Sequence, residues 1–295
     1  MSMTPTVPMI SWSSYEQFLN CPREYRWSMF PDEIQKVNPV PPSDPQHLIR
    51  GTAVQGVMDI LCSRELRTPT TLELGALIKQ ELRRAFEQFS MQGRSGKNSE
   101  QMFQVIRHQI PTALRVLQEY IVTRGWKIKG CFPQKRLSRK SELSFKVVEL
   151  IATLDLLIEL EIEGERKYLV IEGKSTSKPE TRSIDQVFFQ TALTGASHKS
   201  AMLFPVVEAG YLFYSQGTLQ MHPINTDGLI STDFQNWWVR RNKVLERIVS
   251  GEGDATPGNR NCRFCQFKWT CPDVHVAQKR NPLAGSEEPT IIGLE

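Results

Sequence analysis

Asp155 interrupts an apolar run, Leu150-Ile-Ala-Thr-Leu-Asp-Leu-Leu-Ile158. A charge inside such a run is costly unless it is paired or holds a cation. A short way on comes Val170-Ile-Glu172-Gly-Lys174. Alternate residues of a strand share a face, so Glu172 and Lys174 point the same way. If a hairpin sets 155 near 172, Asp155 and Glu172 can hold one hard divalent cation through oxygen, with Lys174 beside it. Such an ion polarises a phosphodiester and lowers the pKa of a bound water. The lysine can orient or deprotonate that water and stabilise charge on the phosphate. The alternative is a structural Glu–Lys pair at a strand end, because an E-x-K triplet alone is a weak signal.

The second chemical group is sulfur. Cys262-Arg-Phe-Cys265 is a C-x2-C pair, and Cys271 follows after five residues, flanked by Pro257, Gly258 and Pro272. Thiolates on a tight turn are the usual start of a zinc or iron–sulfur site, and both want four ligands. Cys21, Cys62, Cys131 or His275 can supply the fourth. Spacing alone does not separate the two metals. Cys62, in a helix, and Cys131, near a strand start, read as isolated buried thiols.

The elements that must position these groups follow from periodicity. Residues 1–12, with Pro5 and Pro8, read as a flexible arm. Ser13 and Glu16 fit a capping box, with Tyr15, Phe18 and Leu19 on one face, and Cys21-Pro22 ends or kinks that helix. Residues 31–46, rich in proline, read as a loop. Helices are expected over 47–65, 71–90 and 99–124, the last interrupted at Pro111. Residues 144–160 and 167–171 read as a central hairpin around Gly164. A helix over 184–194, strands over 201–207, 210–215 and 218–223, and a long helix over 232–250 complete the pattern. The class is α/β or α+β, with helices around a mixed sheet. No internal repeat is present.

The chain has 295 residues, of which 40% are hydrophobic and 23% charged, enough for a normal core. Its formal charge of +4 permits a nucleic-acid partner without demanding one. No run approaches the roughly 18 apolar residues of a membrane span, and the N-terminus lacks the build of a secretory signal. A reducing cytoplasm is the default compartment (a host cytoplasm if the chain is viral).

The order of these groups resembles a known family. Ser13-Ser-Tyr-Glu-Gln-Phe-Leu-Asn-Cys21-Pro-Arg-Glu-Tyr25 comes first, then Gly51-Thr-Ala-Val-Gln55, Ala152-Thr-Leu-Asp155, Glu172-Gly-Lys174, Gln186 and Cys262-x2-Cys265-x5-Cys271. Over residues 10–273 this is similar to the RecB-like PD-(D/E)xK nucleases. It resembles in particular their iron–sulfur branch, which includes the AddB nuclease domain and the CRISPR-adaptation exonucleases. The resemblance implies a restriction-endonuclease-like α/β core over 13–250. It also implies a cluster segment over 251–275 packing with Cys21, so that the cluster subdomain joins the N- and C-terminal segments, and a tail over 276–295. Cys21, Cys262, Cys265 and Cys271 would bind a [4Fe-4S] cluster. Asp155 and Glu172 would ligate Mg or Mn, Lys174 would be the catalytic lysine, and Gln186 would lie near DNA or the attacking water.

Two departures stand out. Gln55 occupies the place of a metal-binding histidine, where its carbonyl can still reach an ion; Asp59, one turn on, is an alternative ligand. Gln190 stands where a DNA-contacting tyrosine is expected. Lys135-Arg136-Leu-Ser-Arg139-Lys140 reads as an exposed basic loop. Arg240 and Arg241 give the last helix a basic side, and Trp237 and Trp238 read as core. The expectation is therefore an exonuclease acting on single-stranded DNA ends, with no membrane association and with recombination or CRISPR-adaptation proteins as partners. The competing expectation is a degenerate nuclease fold that binds DNA or serves as a scaffold without turnover.

Overall fold

The computed structural model describes residues 8–29, 45–90, 99–144, 146–175, 183–194, 205–226 and 229–256, together with Cys262, Cys265, Phe267, Cys271 and Asp273. It divides into two compact units: Met1–Trp12 with Ser43–Asn242, and Ser13–Pro42 with Lys243–Glu295.

The first unit is built on a sheet. Segments rich in Val, Ile and Leu give β3 (Val147–Ile162), β4 (Glu165–Lys174) and β5 (Val206–Phe213), which the more polar β2 (Lys127–Glu142) and β6 (Thr218–Pro223) join by pairing. A short β1 (Met9–Ser11) pairs parallel with β3, so the end of the expected flexible arm is sheet. The order is β1-β3-β4-β5-β6, with β2 along the other side of β3. The β3–β4 hairpin turns at Glu163-Gly164, both at positive φ, where glycine carries no Cβ penalty. β4 and β5 are parallel and flank α6 (Asp185–Leu193) in sequence, while β5 and β6 are antiparallel. The sheet is therefore mixed, as the sequence pattern implies. Among the described residues the two strands expected over 201–207 and 210–215 are one, β5. A two-stranded ribbon, β7 (Asn225–Thr226) with β8 (Leu229–Ile230), precedes the last helix.

Helices α3 (Pro45–Ser63), α4 (Thr71–Ser90) and α5 (Ser99–Thr123) share one hydrophobic core with residues of β3, β4 and β5, including Val54, Met58, Leu61, Ile78, Ile110, Leu156, Ile158 and Ile171. α5 runs unbroken through Pro111, contrary to the expected interruption. Pro111 is exposed, so its ring displaces no core side chain while the flanking Ile110, Ala113 and Leu114 hold the helix down. The basic stretch 135–140 is not a loop. It lies in β2, paired residue by residue with β3 from Lys135↔Leu154 to Lys140↔Glu149. Cys62 and Cys131, expected as isolated thiols, are both buried but joined in a disulfide between α3 and β2.

In the second unit, α1 (Trp12–Asn20) buries Tyr15 and Phe18. Its start at Trp12 puts Ser13 inside the first turn rather than at the cap. Cys21 is the joint to α2 (Pro22–Met29): its N–H donates to Gln17 O at 2.9 Å and its carbonyl accepts from Tyr25 N at 3.1 Å. α7 (Thr232–Val249) enters this unit after Asn242, and there Arg247 lies over the Phe18 ring. The proline-rich segment read as a loop and the tail after 275 lie outside the described residues, apart from Pro45 and Gln46, which open α3.

Candidate active site

The β3–β4 register decides the site. Its last pair is Leu156↔Ile171, so the next step sets Asp155 beside Glu172. The two strands thus bring together carboxylates that are far apart in sequence. Glu172 is 7% exposed and holds three donors. Lys174 Nζ lies 2.6 Å from Oε1, Gln186 Nε2 donates to Oε1 at 2.6 Å, and Gln190 Nε2 donates to Oε2 at 2.6 Å. Gln186 and Gln190 are one turn apart on α6 and so reach the same carboxylate. An ionised carboxylate offers about four acceptor sites, which leaves room on Oε2 for a cation.

Asp155 Oδ2 accepts the Gly173 N–H at 2.9 Å, and Oδ1 faces Gln134 Nε2 at 3.4 Å. Burial, with the charge of Glu172 next, pushes the Asp155 carboxyl up to about 8. Asp59 of α3 is raised by burial and by the charge of Glu81, against hydrogen bonds from Gln55 and Gln134. Gln55 Nε2 donates to Asp59 Oδ1 at 2.8 Å, so the residue in the histidine place orients a carboxylate. Tyr214, 2% exposed, is raised well above the tyrosine range by burial and by Asp155, Asp59 and Glu172. Asp155, Asp59, Gln55, Gln134 and Tyr214 line an open cleft of about 520 Å³ with Gly51, Gly56, Glu81, Arg84, Gly173 and Lys174.

Sequence reasoning reached Asp155, Glu172, Lys174 and Gln186, and the structure brings all four together. It missed Gln134, which adjoins the basic stretch 135–140 read as a loop, and Tyr214, which follows an apolar strand and looks like core. The glycine between Glu172 and Lys174 was the available signal: a Cβ there would lie 2.4 Å from the Tyr214 hydroxyl. Two residues expected at DNA, Gln190 and Arg241, are buried. Gln190, 3% exposed, is turned onto Glu172. Arg241, 1% exposed, bonds Asn242 Oδ1 and Ser141 Oγ and stacks on Trp238 at 3.9 Å. Arg240 is exposed. Trp237 is buried at 2%, as core.

In the second unit Cys21, Cys262, Cys265 and Cys271 are free and half-buried. Burial pushes the Cys265 thiol up to about 12, with Glu24, Cys21 and Cys271 adding negative charge and the Phe267 N–H, 3.4 Å from Sγ, opposing. Arg23 pairs with Asp273 and hydrogen-bonds Cys271. Trp27 packs edge-on against Phe267 at 5.4 Å. Among the described residues no three His, Cys, Asp or Glu side chains stand at metal-holding geometry, here or in the cleft.

A mixed sheet flanked by helices, with Asp, Glu and Lys converging at the end of a hairpin, defines the nuclease class built on a D…E-x-K core. The chain belongs to the PD-(D/E)XK nuclease superfamily, whose family model matches residues 9–272. Nucleases of this superfamily use divalent metals such as Mg or Mn and act on nucleic acid. No curated protein matches the chain. The crystal structure of SSO0001 is similar over 77% of this chain and 95% of that chain, at 15% identity and a TM-score of 0.34, too slight a likeness to carry an argument. Among the described residues no helix is long and apolar enough to cross a membrane.

Proposed function

We propose that this protein is a Mg- or Mn-dependent exonuclease that hydrolyses DNA from single-stranded ends, with a structural [4Fe-4S] cluster on Cys21, Cys262, Cys265 and Cys271. The observation that carries the catalytic reading is the Asp155–Glu172 juxtaposition with Lys174 at 2.6 Å from Glu172.

The donor set suits a hard cation: carboxylate oxygens of Asp155 and Glu172, with the Gln55 carbonyl on the facing helix. When bound, such an ion polarises the phosphodiester and acidifies a water. The chain's own residues do the rest. Gly173 N–H fixes Asp155. Gln186 and Gln190 fix Glu172, one on each carboxylate oxygen. Lys174, held against Glu172, is placed to take a proton from the attacking water or to stabilise charge on the phosphate. Exposed Arg240 and the basic side of β2 suit phosphate contact along the strand. Among the thiols, the approach of Cys21 and Cys271 to Cys265 and the N–H···S contact of Phe267 support a soft-metal site.

Purified protein given Mn should shorten end-labelled single-stranded DNA, and substrates blocked at the 5′ or 3′ end should reveal polarity. Asp155→Ala and Lys174→Ala should each lower the rate by at least about a hundredfold. Cleavage that survives both substitutions overturns the assignment. A second reading is favoured by one contact: Gln55 spends its amide on Asp59 where the family places a histidine. It makes the protein a nuclease-fold module that binds DNA, or a recombination or CRISPR-adaptation partner, without turnover. DNA retention with no cleavage under Mg, Mn or Co would select it.

A further inference from the structure

Two cysteines that the mechanism does not use are joined beside the cleft. Cys62 and Cys131 form a disulfide between α3 and β2, across 69 residues of sequence. Both are buried, at 0% and 9% exposure. In a reducing compartment a disulfide is the exception, and one that forms there is usually transient or redox-sensing.

The position of this bond ties it to the cleft. Asp59 stands one turn before Cys62 on α3, and so on the same face. Gln134 stands a few residues after Cys131 on β2. Both Asp59 and Gln134 line the cleft. The Gln134 amide bonds Asp59 and, at 3.4 Å, Asp155. A small ring therefore closes: Asp59 to Cys62 along the helix, Cys62 to Cys131 through sulfur, Cys131 to Gln134 along the strand, and Gln134 back to Asp59. The covalent side of that ring holds its hydrogen-bonded side in register. Gln134 sits at φ 49°, in the left-handed region, which a non-glycine residue keeps only where its surroundings hold it.

The bond is also placed where it can open. Cys62 is the next-to-last residue of α3, and helix ends fray. Glu65 and Leu66 follow at φ 56° and 58°, two non-glycine residues in the left-handed region, so the turn beyond Cys62 is strained. An open pocket of about 410 Å³ lies at that turn, lined by Leu61 and Ser63, the sequence neighbours of Cys62, and by Arg64 and Arg67. The fold has other support: Val54, Met58 and Leu61 pack α3 into the core shared with α4, α5 and the sheet, so the bond can break without unfolding the unit.

We propose that Cys62–Cys131 is a redox latch on the cleft: closed, it holds Asp59 and Gln134 in register; opened, it releases that side of the wall and slows cleavage. The effect on cleavage rests on the nuclease reading, and the release of the wall does not. Opening is thiol–disulfide exchange with a small thiol such as glutathione. Its thiolate attacks the Cys62 sulfur at the frayed helix end, the S–S bond breaks, and the Cys131 sulfur leaves with the electron pair and takes up a proton. A second glutathione thiolate attacks the mixed disulfide, Cys62 leaves and is protonated, and glutathione disulfide departs. The protein disulfide is reduced and the two glutathiones are oxidised. Glutathione disulfide, by the reverse steps, is the oxidant that closes the latch.

The test follows hydrogen exchange and DNA cleavage in the full-length protein, equilibrated anaerobically in glutathione buffers from reduced to oxidised, with thiols counted by alkylation after denaturation. The oxidised protein should lose Cys62 and Cys131 from the alkylated set. Reduction should speed amide exchange over 59–66 and 128–136 about tenfold or more, and leave the paired amides of β4 and β5 unchanged. Cleavage of single-stranded DNA should fall about tenfold or more on reduction and recover on reoxidation. The double variant Cys62→Ala/Cys131→Ala should show neither response, which separates the latch from any response of Cys21, Cys262, Cys265 and Cys271. Cys131→Ser alone serves should the double variant fail to fold. Cys62 and Cys131 alkylated in every buffer, exchange over 59–66 and 128–136 that ignores the redox state, or a response that survives in the variant overturns the latch. A released wall with unchanged cleavage overturns its control of the reaction and leaves the nuclease reading standing. A redox-dependent wall in a protein that cleaves no DNA defeats the nuclease reading alone.

Discussion

At the residue scale, the site is organised around two carboxylates, Asp155 and Glu172, brought side by side by the β3–β4 register. Asp155 titrates near 8 in the folded chain because burial and Glu172 disfavour its charge. A folded pKa above the unfolded one makes the protonated form the stabilised form. That stability is whole below about pH 4 and is lost as pH rises through 8. The metal-free protein should therefore melt at progressively lower temperature between pH 5 and 9, and the gain from saturating Mn should grow over the same interval. Asp155→Asn should flatten both curves in thermal melts. If the wild-type gain from Mn is the same at pH 5 and pH 9, Asp155 is not the group the ion relieves. Gln190 makes a second residue-scale case. Gln190→Leu keeps the buried volume but takes a donor from Glu172, so Mn affinity or cleavage rate should fall about 10–100-fold, as for other residues that orient metal ligands. An unchanged Mn titration would show that Lys174 and Gln186 hold Glu172 without it.

At the element scale, two helices and a hairpin place these groups, and their sequences carry unequal signals. The β3–β4 hairpin was legible because a polar Gly164 turn divides two apolar runs, while its register stayed a condition until the strands set Leu156 opposite Ile171. α3, α4 and α5 were legible from their apolar spacing. β2 was not: Lys135, Arg136, Arg139 and Lys140 lie on a strand with one neighbour among the described residues, so solvent tolerates their charge and the apolar–polar alternation of the sequence is lost. β1 is three residues long, too short for any period to show. Pro111 misled because its missing N–H costs one helical bond, which the tertiary packing of Ile110, Ala113 and Leu114 outweighs. Restoring that bond is an element-scale test. Pro111→Ala should raise stability by about 2 kcal/mol, the helix gain less the lost rigidity of the unfolded chain, seen as a higher urea midpoint. No change would mean that α5 has already adjusted to the ring. Gly173→Ala should act in the opposite sense. Its methyl would meet the Tyr214 ring and hydroxyl at 2.4–2.8 Å and cost about 1–3 kcal/mol. A wild-type urea midpoint would show that the ring moves freely and does not fill the site.

At the scale of the whole molecule, the second unit is assembled from Ser13–Pro42 and Lys243–Glu295, which are separated in sequence by the sheet-bearing residues. Within that unit Arg23 and Trp27 of α2 already meet Asp273 and Phe267. A metal cluster on Cys21 and the three later cysteines would fasten these segments covalently. By the chain-entropy argument used for cross-links, closing a loop of this length is worth about 5 kcal/mol, and metal binding then becomes folding free energy. Cys21→Ala should therefore remove visible absorption in anaerobically purified protein and lower the melting temperature of the second unit. It should leave Mn(II) binding at Asp155 intact, because every residue of that cleft belongs to the first unit. The separation of the two losses is the informative result. If Cys21→Ala keeps both its colour and its melting temperature, Cys21 is not the fourth ligand. If a colourless wild-type protein carries one zinc and Cys21→Ala still loses stability, the clasp stands and only its metal changes. If Mn(II) binding falls together with the colour, the cysteines do more than fasten the chain ends.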